Sequence, residues 1–121
     1  MRTQVQAKVL RIYVGEQDHQ GGGPLYAVIV ERLKECGIAG VSVLKGVEGY
    51  GAHGKLHTAR IEVLFQGLPV IIEAVDVPER IDIALPMLDE LLVEALVTVH
   101  DVTAIRYNKD AREGVPRSPA T

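Results

Sequence analysis

The sequence predicts an α+β sandwich of the split βαβ, ferredoxin-like kind, with an antiparallel sheet and two helices on one of its faces. Three observations predict it. Two apolar stripes recur at helical spacing, each is flanked by runs of alternating β-branched residues, and the resulting β-α-β unit appears twice along 121 residues, the length of one domain.

From Ala7 to Val14 the sequence AKVLRIYV places Leu10, Ile12 and Val14 on one face of a strand and Val9, Arg11 and Tyr13 on the other. Gly15 to Gly23 is polar and ends in three glycines, which read as a loop. Pro24 then suits a first helical turn, where its missing N–H would have no partner anyway. Across Pro24–Cys36 the positions Leu25, Val28, Ile29, Leu33 and Cys36 form the inner stripe, and Gly37 supplies the stop. Val41–Leu44 is the next strand. Gly46 to Gly54 carries too many glycines for regular structure and reads as a loop.

An extended stretch from His57 to Phe65 follows, and Gln66–Gly67 reads as a reversal into Leu68–Val75, so the two are expected to form a hairpin. Asp76 stands three residues before Glu79, the spacing of a capping box, and marks the start of the second helix. Its stripe is Ile81, Ala84, Leu85, Leu88, Leu91, Leu92 and Ala95, with Pro86 expected to bend it near the middle. Leu96–Tyr107 returns to strand character. The single domain is therefore expected over 7–107, with 108–121 as a flexible tail. Val9 and Tyr13 would leave apolar side chains on a sheet face for which the chain has no further helices, so a homo-oligomer is expected to cover them.

Composition narrows the function classes. Thirteen basic against sixteen acidic residues give a net charge of -3, which provides no cationic field for nucleic acid. Cys36 is the only cysteine, no apolar run approaches the roughly 20 residues a membrane span needs, and Met1–Gln6 lacks the features of a signal peptide. A cytoplasmic protein is expected.

The candidate ligand-binding residues centre on the glycine-rich loop. Gly46, Gly49 and Gly51 would let backbone N–H groups approach an anion, Lys45 and Lys55 would neutralise its charge, and His53 lies between them. Arg11, Arg60 and Arg106 fall on predicted strands and could reach an anionic ligand in a cleft between subunits. The glycine spacing matches neither a P-loop nor a dinucleotide fingerprint. Serine-hydrolase signatures are missing, and the acid pairs fall on outer helix faces, so no catalytic residue is assigned and the protein is expected not to be an enzyme. Cys36 reads as a small buried hydrophobe.

The runs Lys8–Glu16, Gly23-Pro24-Leu25-Tyr26, Gly37–Val41, Gly49–His53, His57-Thr58-Ala59, Leu68-Pro69-Val70 and Leu85–Glu90 together resemble a small prokaryotic family of PII-like proteins. The resemblance covers roughly residues 7–107. It implies a ferredoxin-like trimer similar to the nitrogen-regulatory PII signalling proteins, which bind adenine nucleotides in clefts between subunits and present a loop to target proteins. On that resemblance Gly46–Lys55 matches the position of the target-binding loop, in shortened form. PII proteins carry a second glycine-rich, basic loop between the last helix and last strand, whereas this chain runs Leu92–Val97 with neither glycine nor lysine. A ligand with fewer phosphates, AMP or ADP, is therefore implied, together with a membrane-transport protein as partner. Two alternatives are a trimeric divalent-metal-binding protein resembling cation tolerance proteins, using His53, His57 or Cys36, and an acylphosphatase-like enzyme, for which Asn108 is the only asparagine.

Overall fold

The computed structural model describes residues 1–47 and 68–109. Its principal sheet has four strands in the order β4-β5-β1-β6. The central strand β1 (Arg2–Gly15) pairs antiparallel with β5 (Pro69–Asp76) on one side and β6 (Leu96–Tyr107) on the other, and β4 (Val41–Lys45) closes the far edge against β5. Helices α1 (Leu25–Glu35) and α2 (Pro78–Leu91) complete the split βαβ order. The expected fold class holds.

Alternation decides which residues meet the helices. Leu10, Ile12 and Val14 of β1, Val70, Ile72 and Ala74 of β5, Leu25, Ile29 and Leu33 of α1, and Ile81, Ala84, Leu88 and Leu91 of α2 form one buried cluster. The register places Ile12 opposite Ile72 and Val97, so the three strands present matching apolar positions to the same layer. Lys8 lies on this face too and ends 3.9 Å from Asp82 of α2.

The ends of the elements differ from the sequence expectation in four places. First, β1 begins at Arg2 rather than Ala7, because Arg2–Gln6 form a ribbon with Thr103–Tyr107. These residues lack apolar alternation, but backbone pairing does not require a buried face. Second, the stretch before α1 contains a short ladder, β2 (His19–Gln20) with β3 (Gly23–Pro24), in place of a plain loop. Gly21, at φ +59, supplies the left-handed turn residue, and Pro24 becomes the N-cap of α1 instead of its first turn. Third, the capping box at Asp76 does not form. Val77 is the N-cap with Pro78 next to it, and Asp76, one residue too early, accepts from Val77 N at 2.7 Å and from Ala39 N at 2.9 Å. Asp76 thereby joins the start of α2 to the connector after α1. Fourth, α2 ends at Leu91, and Leu92–Ala95 form a connector rather than a last turn.

The expected hairpin rests on 57–65, which lies outside the described residues; its other strand, Val70–Ala74, pairs with β1 on one side and β4 on the other. The segment 48–67 itself, with Gly49, Gly51, His53, Lys55, His57 and Arg60, lies outside the described residues, as does 110–121. Pro86 lies inside α2 as expected. The end of α1 follows the sequence closely: Gly37, at φ +85, donates to Lys34 O, and Ile38 N reaches back to Leu33 O, the paired bonds of a Schellman motif whose Leu33 and Ile38 both enter the core.

Candidate functional site

The topology gathers several chain ends at one end of the sheet. β1 and β4 finish there, β5 and β6 begin there, α1 starts there and α2 stops there, so the connectors 16–24, 92–95 and the two ends of 46–68 are neighbours. Three backbone bonds tie them: Glu16 N to Leu68 O and Gly46 N to Pro69 O, both 2.7 Å, and Leu25 N to Asp18 O, 2.8 Å. Asp18 also accepts from Gly15 N through its carboxylate at 2.8 Å.

Among the described residues Lys45 supplies a cation at this junction. Lys45 and Glu16 both continue the inward face, Lys45 after Val41 and Val43, Glu16 after Leu10, Ile12 and Val14. Their side chains therefore converge over the start of β5, with Nζ 3.3 Å from Glu16 Oε2. The ring of Tyr26, in the first turn of α1, stands 5.6 Å from the same ammonium. Gly46 follows directly. A Cβ there would lie 2.6 Å from Pro69 Cγ, so the glycine is required by close approach to β5.

Two cavities flank the 92–95 connector. One of about 260 Å³ is lined by Asp18, His19, Gln20, Leu25, Leu91 and Glu94, and one of about 300 Å³ by Leu85, Leu88, Asp89, Leu92, Ala95 and Val97. Val93 borders both and is 90% exposed. Among the described residues neither is lined by lysine or arginine.

Arg11 lies on the opposite sheet face, directly across from Glu73 in the register, with Nε 2.7 Å from Glu73 Oε2. That hydrogen bond, aided by the charge of Glu73 and by Tyr13, holds the guanidinium above its ordinary value against a smaller opposing effect of desolvation. Val9, Tyr13, Ile71 and Leu96 surround the pair by register on this face, which neither α1 nor α2 covers. Arg106 is on the outer ribbon, opposite Thr3, eight residues along β6 from the Thr98 that faces Arg11 and hence roughly 26 Å away. Lys45 and Gly46 are thus adjacent, while Arg11 and Arg106 are separate from them and from each other. Gly49, Gly51, His53, Lys55 and Arg60 lie outside the described residues.

Sequence reasoning missed Glu16, Tyr26 and Glu73. Parity carried one residue past β1 and to the end of β4 would have put Glu16 and Lys45 on one face, whereas the pairing of Arg11 with Glu73 needs the register. Cys36 is half-buried at the end of α1, and among the described residues no three His, Cys, Asp or Glu side chains are grouped to hold a metal. No helix among them is long and apolar enough to cross a membrane.

The fold is that of the PII-like proteins. CPII from Thiomonas intermedia K12, a nitrogen regulatory PII-like protein whose structure is bound to ADP, AMP and bicarbonate, superposes with a TM-score of 0.58 at 18% identity, covering 84% of this chain and 98% of that one. The GlnK–ATP complex of B. subtilis gives 0.51 at 13% identity over 80% of this chain and 82% of that chain. The particular family follows from sequence. The chain belongs to the DUF190 family, described as "Uncharacterized ACR", whose model matches residues 7–104. A UPF0166 protein of Methanocaldococcus jannaschii is 42% identical over 90 residues, 73% of this chain and 81% of the relative.

Proposed function

We propose that the chain is a PII-like, non-enzymatic regulatory protein of the cytoplasm. Its ligand is an adenine nucleotide, AMP or ADP, held in clefts between the subunits of a homotrimer, and the segment from Gly46 to Lys55 meets a partner protein. The observation that carries the reading is the likeness in fold to CPII, whose structure holds ADP and AMP. Two features of this chain support it. On the face that neither α1 nor α2 covers, Val9 is already buried within the chain at 7% exposure, contrary to expectation, but its register partner Val75 is 41% exposed and Tyr13 half-buried beside the charge pair, an arrangement suited to burial against a second copy. The cavities near the 92–95 connector are lined by no lysine or arginine among the described residues, so a phosphate would draw on Lys45, on the 48–67 segment or on a neighbouring subunit. The resemblance points to a membrane-transport protein as the partner.

Native mass spectrometry of the purified protein, followed by thermal denaturation with AMP, ADP, ATP and cyclic nucleotides, tests the reading. A trimer whose melting temperature rises with AMP or ADP is expected, since a ligand at a hundredfold its Kd stabilises the native state by about 2.7 kcal/mol. A bare monomer, or no shift with any nucleotide, overturns it.

A further inference from the structure

Glu16 occupies an unusual position at the junction. Its backbone N–H holds Leu68 O, where the chain returns to the sheet, and its carboxylate holds Lys45, where the chain leaves it. One residue therefore secures both ends of the 46–68 excursion, by two independent bonds of different kinds. The backbone bond is short at 2.7 Å, and the ion pair is longer at 3.3 Å, with the two side chains 52% and 37% exposed.

An ion pair that open to water is weak, so its two groups exchange partners at little cost. The ammonium of Lys45 would remain in place without Glu16, because the Tyr26 ring still faces it. A carboxylate beside this cation at the head of α1 also has the same sign of charge as a phosphate, and both need the same donor.

We infer that Glu16 is an internal competitor for the anionic ligand at Lys45: a phosphate of the nucleotide takes the place of its carboxylate, and the side-chain half of the clasp opens while the backbone half to Leu68 stays. This rests on the nucleotide reading above and adds its regulation. It makes Glu16 a residue that sets affinity by phosphate charge, and it couples ligand binding to the root of the 46–68 excursion through an exchange of partners rather than through a new contact.

The test uses the full chain with adenosine, AMP and ADP as probes, by isothermal titration at fixed salt. Glu16→Gln keeps the size and backbone of the side chain and removes its charge. It is expected to tighten AMP and ADP by about two- to fivefold, the range an exposed ion pair supplies, and to leave adenosine unchanged. Lys45→Gln is expected to weaken both nucleotides by about tenfold. Glu16→Asp, with its shorter side chain and full charge, is expected to bind more weakly than Glu16→Gln. A purely structural role for Glu16 would make its removal loosen binding, which is the opposite sign. If the parent protein binds AMP or ADP and Glu16→Gln binds them equally or more weakly, the competition is overturned and the nucleotide reading stands. If the parent protein binds none of the three, both fall.

Discussion

Replacing Gly46 with alanine isolates the contact at the root of the excursion. The added Cβ would stand 2.6 Å from Pro69 Cγ and 3.4 Å from its Cδ, about 1 Å inside an ordinary carbon–carbon separation. The proline ring can change only its pucker, and Pro69 is held by its place opposite Gly15 in β1. The end of β4 has to move instead, and the 2.7 Å bond from Gly46 N to Pro69 O stretches with it. Overpacking of this kind costs about 1–3 kcal/mol and a weakened hydrogen bond about 1 kcal/mol more, against a gain of about 0.4–1 kcal/mol from the stiffer unfolded chain. A net loss of about 2 kcal/mol is expected. In urea denaturation at fixed protein concentration this lowers the midpoint with an unchanged slope, and in a thermal scan it lowers Tm by about 8 °C. Pro69→Ala removes the clashing carbon, so in that background the same glycine replacement is expected to cost at least about 1 kcal/mol less. Equal costs in the two backgrounds would refute the steric account.

Other perturbations test separate parts of the structure. Asp76→Ala leaves Ala39 N and Val77 N without their carboxylate and is expected to cost about 1–2 kcal/mol in the same urea assay. Pro86 is exposed inside α2, so Pro86→Ala restores a helical N–H without opening a cavity and is expected to raise Tm; a lower Tm would show that the helix needs the proline. On the face that neither α1 nor α2 covers, Arg11→Glu sets two acids side by side with Glu73 and is expected to shift the assembly toward monomer by light scattering. Because Glu73 raises the Arg11 value, the arginine's contribution to stability is complete at all pH values below its ordinary range and is lost only as pH rises beyond it. Arg11→Gln is therefore expected to change the urea midpoint no more at about pH 9 than at about pH 8.

Much of this fold was readable because burial on one face imposes a period. Leu10, Ile12 and Val14 could lie together only on a strand, and Leu25, Val28, Ile29 and Leu33 only on a helix; all but Val28 enter the core, and Val28 packs against it. Strand β6 has the bounds its β-branched run implied. What stayed hidden was pairing without burial. Arg2–Gln6 carry no apolar alternation, so their place opposite Thr103–Tyr107 left no trace in the pattern. Nor did the pattern show which strands flank Val70–Ala74: its described neighbours are β1 and β4, both distant in sequence. In the site, Lys45 and Gly46 were legible as a cation beside a glycine, yet Gly46 is there for Pro69, and the partners of Lys45 come from two other elements that only the fold brings near.

The placement of β1 at the centre of the sheet also sets an order of events during folding. Its two neighbours are the third and the last of the strands that share its sheet, and Leu10 waits for Val99 across roughly 90 residues of intervening chain. A nascent chain therefore holds its central strand with one backbone edge open until β6 emerges from the ribosome, and local pairs cannot close the sheet in the meantime. Slow, late consolidation follows, with that open edge as the place where premature association would start. Shortening the chain within β6 should then yield aggregates rather than a smaller soluble domain.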